Sequence, residues 1–336
     1  MKKASLVVSP FFEGNNIFNI DDSSINRDDC LHSFYLLKLA FERVGYSLST
    51  SDINLPSESD IVIYNEMPAT LPVGEACQKS FLLLFESALI RPDNWKLESH
   101  QRFRKIFTWN DEFVNQDKYF KMNFSHKFPN VISVQPWEGR KLCTLIAGNK
   151  KVSHNLELYS KRREAIDWFE HNHPEAFDFY GVGWDKYYFS GLKIIRALNR
   201  VPILGKLLAP KLKTYKGTIN NKREVLERYR FSICYENARD IPGYITEKIF
   251  DSFFAGCVPV YWGAGNIESY IPKGCFIDKR NFSDYSKLYD FLSGMSEDQY
   301  ERYIINIRRY MQSSGAQQFR SEYFANKIVD AILNVK

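Results

Sequence analysis

Seven polar side chains crowd the stretch that follows an apolar run ending at Tyr235: Glu236, Asn237, Asp240, Tyr244, Thr246, Glu247 and Lys248. In an open α/β sheet, ligands bind beyond the carboxyl ends of the strands. A helix pattern begins near Thr246. Its first turn presents free backbone N–H groups and the positive end of the dipole, which suits a phosphate. Lys248 lies in that first turn, where a cation opposes the dipole. It needs a compensating anion, and a bound diphosphate would supply one.

The residues around this cluster form an ordered pattern: Tyr235-Glu236-Asn237, then Tyr244-Ile245-Thr246-Glu247-Lys248, then Val258-Pro259-Val260-Tyr261-Trp262-Gly263. The pattern resembles the α-1,3/4-fucosyltransferases of glycosyltransferase family 10, of the bacterial type without a membrane anchor. The resemblance implies a GT-B fold: two Rossmann-like α/β domains with mainly parallel sheets and a cleft between them. It implies inverting transfer of L-fucose from GDP-fucose to a hydroxyl of an N-acetylglucosamine- or glucose-containing glycan, within bacterial surface polysaccharide synthesis. No metal and no cofactor beyond the GDP-sugar donor are expected. Two alternatives stand beside this reading. One is the same fold with another GDP-linked deoxysugar, which a donor panel would separate. The other is a catalytically silent glycan-binding protein, against which the joint presence of Glu86, Arg162, Glu247 and Lys248 argues.

Inverting transfer needs a carboxylate to deprotonate the acceptor hydroxyl and positive groups to hold the departing diphosphate. Phe81–Phe85 is an apolar run that terminates in Glu86-Ser87. Taken alone, Glu86 reads as a polar residue facing solvent after a strand. The resemblance makes it the catalytic base, with Glu98 as the nearest rival. The resemblance also places a diphosphate-binding arginine early in the helix Lys161–Phe169, at Arg162, with Arg163 as the alternative. A solvated basic face is the plain reading of those two residues. Lys248 is the second cation. Asn237, Tyr244 and Glu247 match donor-binding positions. Glu247 also matches a catalytic role, stabilising positive charge on the sugar ring in the transition state, while helix-dipole complementarity explains it equally. Glu236 either faces the cleft or pairs with an arginine, and Tyr235 reads as core. His171 and His173 lack a third neighbouring ligand and read as a polar helix end.

Around these residues, short apolar runs alternate with helix-period segments. Strands are expected at 4–9, 60–64, 81–85, 105–108, 142–147, 177–180, 231–235 and 258–262. Helices are expected at 29–44, 160–170, 222–229 and 246–255, and they dominate from Asp284 onward. Alternation of this kind implies parallel sheets covered on both faces. With 336 residues there is enough chain for two cores. The polar stretch 148–155 suggests a boundary, giving an acceptor-binding domain over 1–152 and a GDP-sugar-binding domain over 153–318. Residues 319–336 would form a helix packing back on the first domain.

A net charge of +5 gives no argument for nucleic acid. The six cysteines show no metal or redox spacing, and Cys143, Cys234 and Cys257 read as buried thiols, which favours a reducing compartment. No apolar stretch reaches membrane-spanning length. These features suggest a cytoplasmic location, with peripheral contact to the inner membrane as an extension of it. The reason for that extension is 186–223, which contains no acidic residue and mixes lysines with leucines and isoleucines. Its core, Lys193–Lys216, is either a surface for anionic lipid or a lipid-linked glycan acceptor, or an insertion that packs its aliphatic side. Pro202 and Pro210 prevent a single regular helix.

Overall fold

Two all-parallel sheets form the frame of the computed structural model, which describes residues 1–189 and 192–333. The side chains of Ile194, Arg196 and Pro202, named in the basic segment, lie outside the described residues, as does the end of the expected C-terminal helix beyond Leu333. The first sheet contains β1 (Lys2–Val7), β2 (Tyr46–Thr50), β3 (Ile61–Asn65), β4 (Ser80–Leu84), β5 (Lys105–Thr108) and β6 (Tyr119–Lys121), in the order β2-β1-β3-β4-β5-β6. The second contains β7 (Lys141–Ile146), β8 (Phe177–Tyr180), β9 (Tyr229–Tyr235), β10 (Val258–Trp262) and β11 (Ile277–Asp278), in the order β11-β10-β9-β7-β8. The runs expected as strands are buried continuously rather than alternately: all of β4 is buried, as is nearly all of β9. Helices cover both faces, so both faces must be apolar.

Three strands carry no clear sequence signal: β2, β6 and β11. All three are sheet edges. An edge strand faces fewer neighbours and tolerates polar residues, so YSLST over Tyr46–Thr50 does not stand out as an apolar run.

The domain boundary differs from the expected position. β7 lies inside the second sheet, between β9 and β8. Lys141, Cys143 and Thr144 pair with Tyr229, Phe231 and Ser232, so the crossing between domains precedes β7. The polar stretch 148–155 is therefore not a linker. It is the loop from β7 to the helix Tyr159–Asn172, a strand-end loop of the second domain. Polarity alone does not distinguish such a loop from an inter-domain connection.

The chain crosses back at its end. Helix Ser321–Leu333 places Phe324, Ala325, Ile328, Val329 and Ile332 in the first domain's core with Leu37, Phe41 and Leu48. Both crossings run side by side: His126 N–H donates to Phe319 O at 2.8 Å, and Ser321 N–H donates to His126 O at 3.1 Å.

A small aromatic cluster forms the seam between domains. Trp109 of the first domain stacks at 4.6 Å on Tyr244 of the second, with Ala238 beside them. Gly243 closes the seam with φ 80°, and a Cβ there would overlap the Trp109 carbonyl oxygen.

The basic segment breaks into a helix at Lys193–Ala197, a 3-10 turn at Leu198–Arg200 and a second helix at Pro202–Leu207. Leu192, Ile203 and Leu207 are each more than 70% exposed, whereas Leu204 is half-buried and Leu212 packs against the second domain's core. Among the described residues, no helix is long and apolar enough to cross a membrane.

Gly243→Ala should lower the free energy of urea unfolding by about 1–3 kcal/mol, the cost of a left-handed non-glycine backbone plus the seam overlap. Gly265→Ala is the control, because only ordinary contacts surround it. Equal midpoints for the two variants would contradict the seam.

Candidate active site

The parallel register brings strand ends of each sheet to one edge. Asn65 pairs with Leu83 in the first sheet, and Tyr235 pairs with Trp262 in the second. Glu66 and Glu86 therefore emerge near one another on one side, and Glu236 and Asn237 emerge on the other. A cleft of about 1390 Å³ lies between the domains, with Glu66, Glu86, His126, Lys222, Glu247 and Asp251 on its walls.

Glu86 is half-buried, and burial raises its carboxyl above the usual range. Lys248 of the opposite domain, Lys150 and Arg91 pull in the other direction, while Glu247 adds to the rise. Its backbone is clamped. Trp95 Nε1 donates to Glu86 O at 3.0 Å, and Trp109 Nε1 donates to Phe85 O at 2.7 Å. Glu98 is exposed on the short helix Leu97–His100 and does not line the cleft.

On the second domain, the helix Glu247–Phe254 begins at Thr246. Glu236 at the end of β9 is fully buried and holds that start in place. Its carboxylate accepts from Thr246 N–H at 2.8 Å and from Thr246 Oγ1 at 2.6 Å, with Lys248 Nζ at 3.4 Å. Burial raises Glu236, against the pull of Lys248. Glu236 thus braces Lys248 and Thr246, which resolves the choice between cleft and arginine in favour of neither. Lys248 also meets Glu247 Oε1 at 3.2 Å. Burial would raise Glu247, but the Lys248 and Lys222 charges hold it far below the usual carboxylate range.

Arg162 is buried and donates to Tyr235 O at 2.7 Å and to Asn237 Oδ1 at 3.0 Å, with its guanidinium over the Tyr159 ring at 4.8 Å. Two of its hydrogen bonds anchor it on the Tyr235 carbonyl and one orients Asn237, with its charge behind that amide. Asn237 Nδ2 in turn approaches the Tyr244 hydroxyl at 3.4 Å. Tyr244 is only 1% exposed, enclosed between Asn237 and Trp109, so it offers no open face to a donor here. Arg163 points elsewhere, to Asn149 Oδ1 at 2.5 Å and the Trp184 ring at 4.9 Å. His173 stacks on Tyr289, and among the described residues no cluster of three His, Cys, Asp or Glu is arranged for a metal.

Sequence reasoning missed Glu66, Lys222 and Asp251. Glu66 follows the apolar run 60–64 by two residues, so the strand-end argument that singled out Glu86 applies to it too. Lys222 bonds Asp251 at 2.8 Å and lies 4.0 Å from Asp28 across the cleft, a pairing no local pattern carries.

Residues 192–331 match the family described as "Glycosyltransferase family 10 (fucosyltransferase) C-term". This stretch belongs to glycosyltransferase family 10. The family 10 match begins after β7 and β8, so it takes in only three strands of the second sheet. The alpha-(1,3)-fucosyltransferase FucT of Helicobacter pylori is 32% identical over 74 residues, 22% of this chain and 15% of that protein. The alpha-(1,3)-fucosyltransferase 4 of Mus musculus is 37% identical over 88 residues, 25% of this chain and 19% of that protein. The chain thus spans less than a fifth of the length of these two curated relatives. A solved structure titled "Crystal Structure of alpha1,3-Fucosyltransferase with GDP-fucose" superposes over 100% of this chain and 91% of its own, with TM-score 0.56 and 14% identity. That likeness shows the fold, a GT-B arrangement that extends the family 10 domain's architecture to the first sheet.

Glu236→Ala should cost about 3 kcal/mol in urea unfolding, at the low end for one partner of a buried ion pair, because Lys248 keeps Glu247. A change under about 1 kcal/mol, the scale of a surface pair, would show that the brace is not needed.

Proposed function

We propose that the protein is an inverting glycosyltransferase that moves L-fucose from GDP-fucose to a hydroxyl of a glycan acceptor. One observation supports this reading: Glu86 of the first domain and Glu247 of the second line one cleft, and the charge of Lys248 acts on Glu86 from the second domain. Glu86 takes the proton from the acceptor hydroxyl as that oxygen attacks the anomeric carbon. Its burial makes it a stronger base than an exposed carboxylate. The bond from the anomeric carbon to the diphosphate breaks, and its electron pair leaves on the phosphate oxygen. Lys248, the helix start at Thr246 and the charge of Arg162 meet that growing negative charge. Glu247 stands where positive charge on the sugar ring would be stabilised. Asn237 holds the donor, oriented by Arg162, and Tyr244 keeps Asn237 in place from behind. With these cations in position, the leaving group needs no divalent metal, and the donor is the only small molecule required.

The guanine nucleotide is supported by the solved relative with GDP-fucose in its title. GDP should stabilise the protein by about 2.7 kcal/mol at a hundredfold excess over its dissociation constant, and more than UDP does. Glu86→Gln should retain GDP binding and lose roughly 10²–10⁴ of turnover, measured as GDP release in the presence of EDTA. A larger melting shift with UDP would overturn the donor. Turnover within a few-fold of wild type would overturn the base.

The acceptor we propose is a lipid-linked glycan of bacterial surface polysaccharide synthesis, met at the cytoplasmic face of the inner membrane through Lys193–Lys216. Exposed Leu192, Ile203 and Leu207 lie among cations with no acidic residue between them. Each basic residue near an anionic bilayer contributes about 1 kcal/mol. Co-sedimentation with phosphatidylglycerol vesicles should occur at low salt and fall when Lys193, Lys206 and Lys211 become glutamine. Binding that ignores these changes ends the proposal.

A further inference from the structure

Glu66 is absent from the site as the sequence presents it, yet every bond of its side chain leads to the segment that carries the base. Glu66 Oε1 accepts from the backbone N–H of Phe85 at 3.1 Å and of Glu86 at 2.8 Å. Its Oε2 accepts from Asn94 Nδ2, and Asn94 also reaches Glu86 O at 3.3 Å. The Asn94 amide cannot turn over to relieve this arrangement, because its Oδ1 accepts from Met67 N–H at 2.9 Å. Three donors therefore converge on one carboxyl group. A protonated carboxyl would present an O–H to an N–H, so the geometry asks for the ionised form.

Two unfavourable features are kept at this residue. Its backbone is left-handed, φ 75°, which is uncommon for a glutamate. Its carboxylate is largely withdrawn from water, which pushes it up to about 7 against the pull of its hydrogen bonds. The charged groups facing it are Glu86, which pushes in the same direction, and Arg91 of the following loop, which donates to Met67 O at 2.9 Å. Strain of this kind persists where the surroundings over-determine it, and such places cluster at functional sites.

We infer that Glu66 is a positioning residue for the base: its ionised carboxylate fixes the Phe85–Glu86 backbone and so aims Glu86 at the acceptor hydroxyl. This rests on the transferase reading above. The sign of its pH dependence follows from its raised value. Between the unfolded carboxyl range and about 7, the folded protein holds a proton on Glu66 that the unfolded chain has lost. Folding is therefore favoured as pH falls through this window, while the aim of Glu86 is lost. Stability and turnover move in opposite directions, and because the raised Glu86 carboxyl contributes in the same sense, the Glu66 variant separates the two.

The test uses Glu66→Gln and the double variant Glu66→Gln/Asn94→Asp in the full chain. The single change sets an NH₂ against the Asn94 NH₂. The double change restores donor to acceptor and moves the charge to position 94. Glu66→Gln should lower kcat about 10²-fold, the scale of a misplaced catalytic group, with GDP affinity unchanged. It should also lessen the fall in kcat expected as pH drops through about 7, leaving the part that protonation of Glu86 itself causes. The double variant should recover a substantial part of kcat. Hydrogen exchange at the Phe85 and Glu86 amides should quicken in the single variant and slow again in the double. Unchanged kcat, loss of GDP binding in parallel with kcat, or a double variant no better than the single would overturn the inference. The exchange measurement does not use activity. If the wild type transfers no sugar, the transferase reading fails, and unchanged amide protection alone decides against the Glu66 clamp.

Discussion

Glu236, a carboxylate with no exposure to solvent, determines where the charges of the second domain stand. It accepts both the N–H and the hydroxyl of Thr246 and lies beside Lys248, so the end of β9 and the start of the following helix cannot move independently. A buried carboxylate is costly unless it is paired and hydrogen-bonded. Here every partner belongs to the helix start, which makes the pairing a geometric constraint as well as an energetic one. Lys248 is held at a position where helix polarity disfavours it, between the carboxylates of Glu236 and Glu247.

The second constraint is the seam. Trp109 packs on Tyr244 and donates its indole N–H to Phe85 O, one residue before Glu86. The same aromatic pair thus contacts Asn237 of the second domain, through Tyr244, and the segment before Glu86, through Phe85. Gly243 allows this approach because no side chain intervenes. The C-terminal helix, packed in the first domain's core, ties the domains a second time.

Environment then separates three glutamates that line the cleft. Glu247, between Lys248 and Lys222, is driven down, whereas Glu86 and Glu66, withdrawn from water, are driven up. Groups of one chemical type take different roles when their surroundings push their protonation apart. Glu247 lies between two lysines, and Glu66 holds the backbone of Glu86.

The sequence by itself determined the parallel α/β frame, because unbroken apolar runs such as Phe81–Phe85 and Val258–Trp262 can only be buried on both faces. It also determined the donor motif, because Glu236, Asn237, Thr246, Glu247 and Lys248 are near neighbours in the chain and their order alone is informative. The tertiary structure decided what depends on distant partners. It assigned β7 to the second sheet, since strand membership is set by pairing with β9 and not by the polarity of the loop after it. It enclosed Tyr244 against Trp109 and joined Glu66 to Glu86 across 20 residues of chain. It also directed Arg162 to Asn237 and Arg163 to Asn149, a choice that helix rotation makes and adjacent residue types do not. Local order specifies which groups are present. Long-range packing specifies which of them share a cleft, because burial, orientation and charge proximity exist only once the strands are paired.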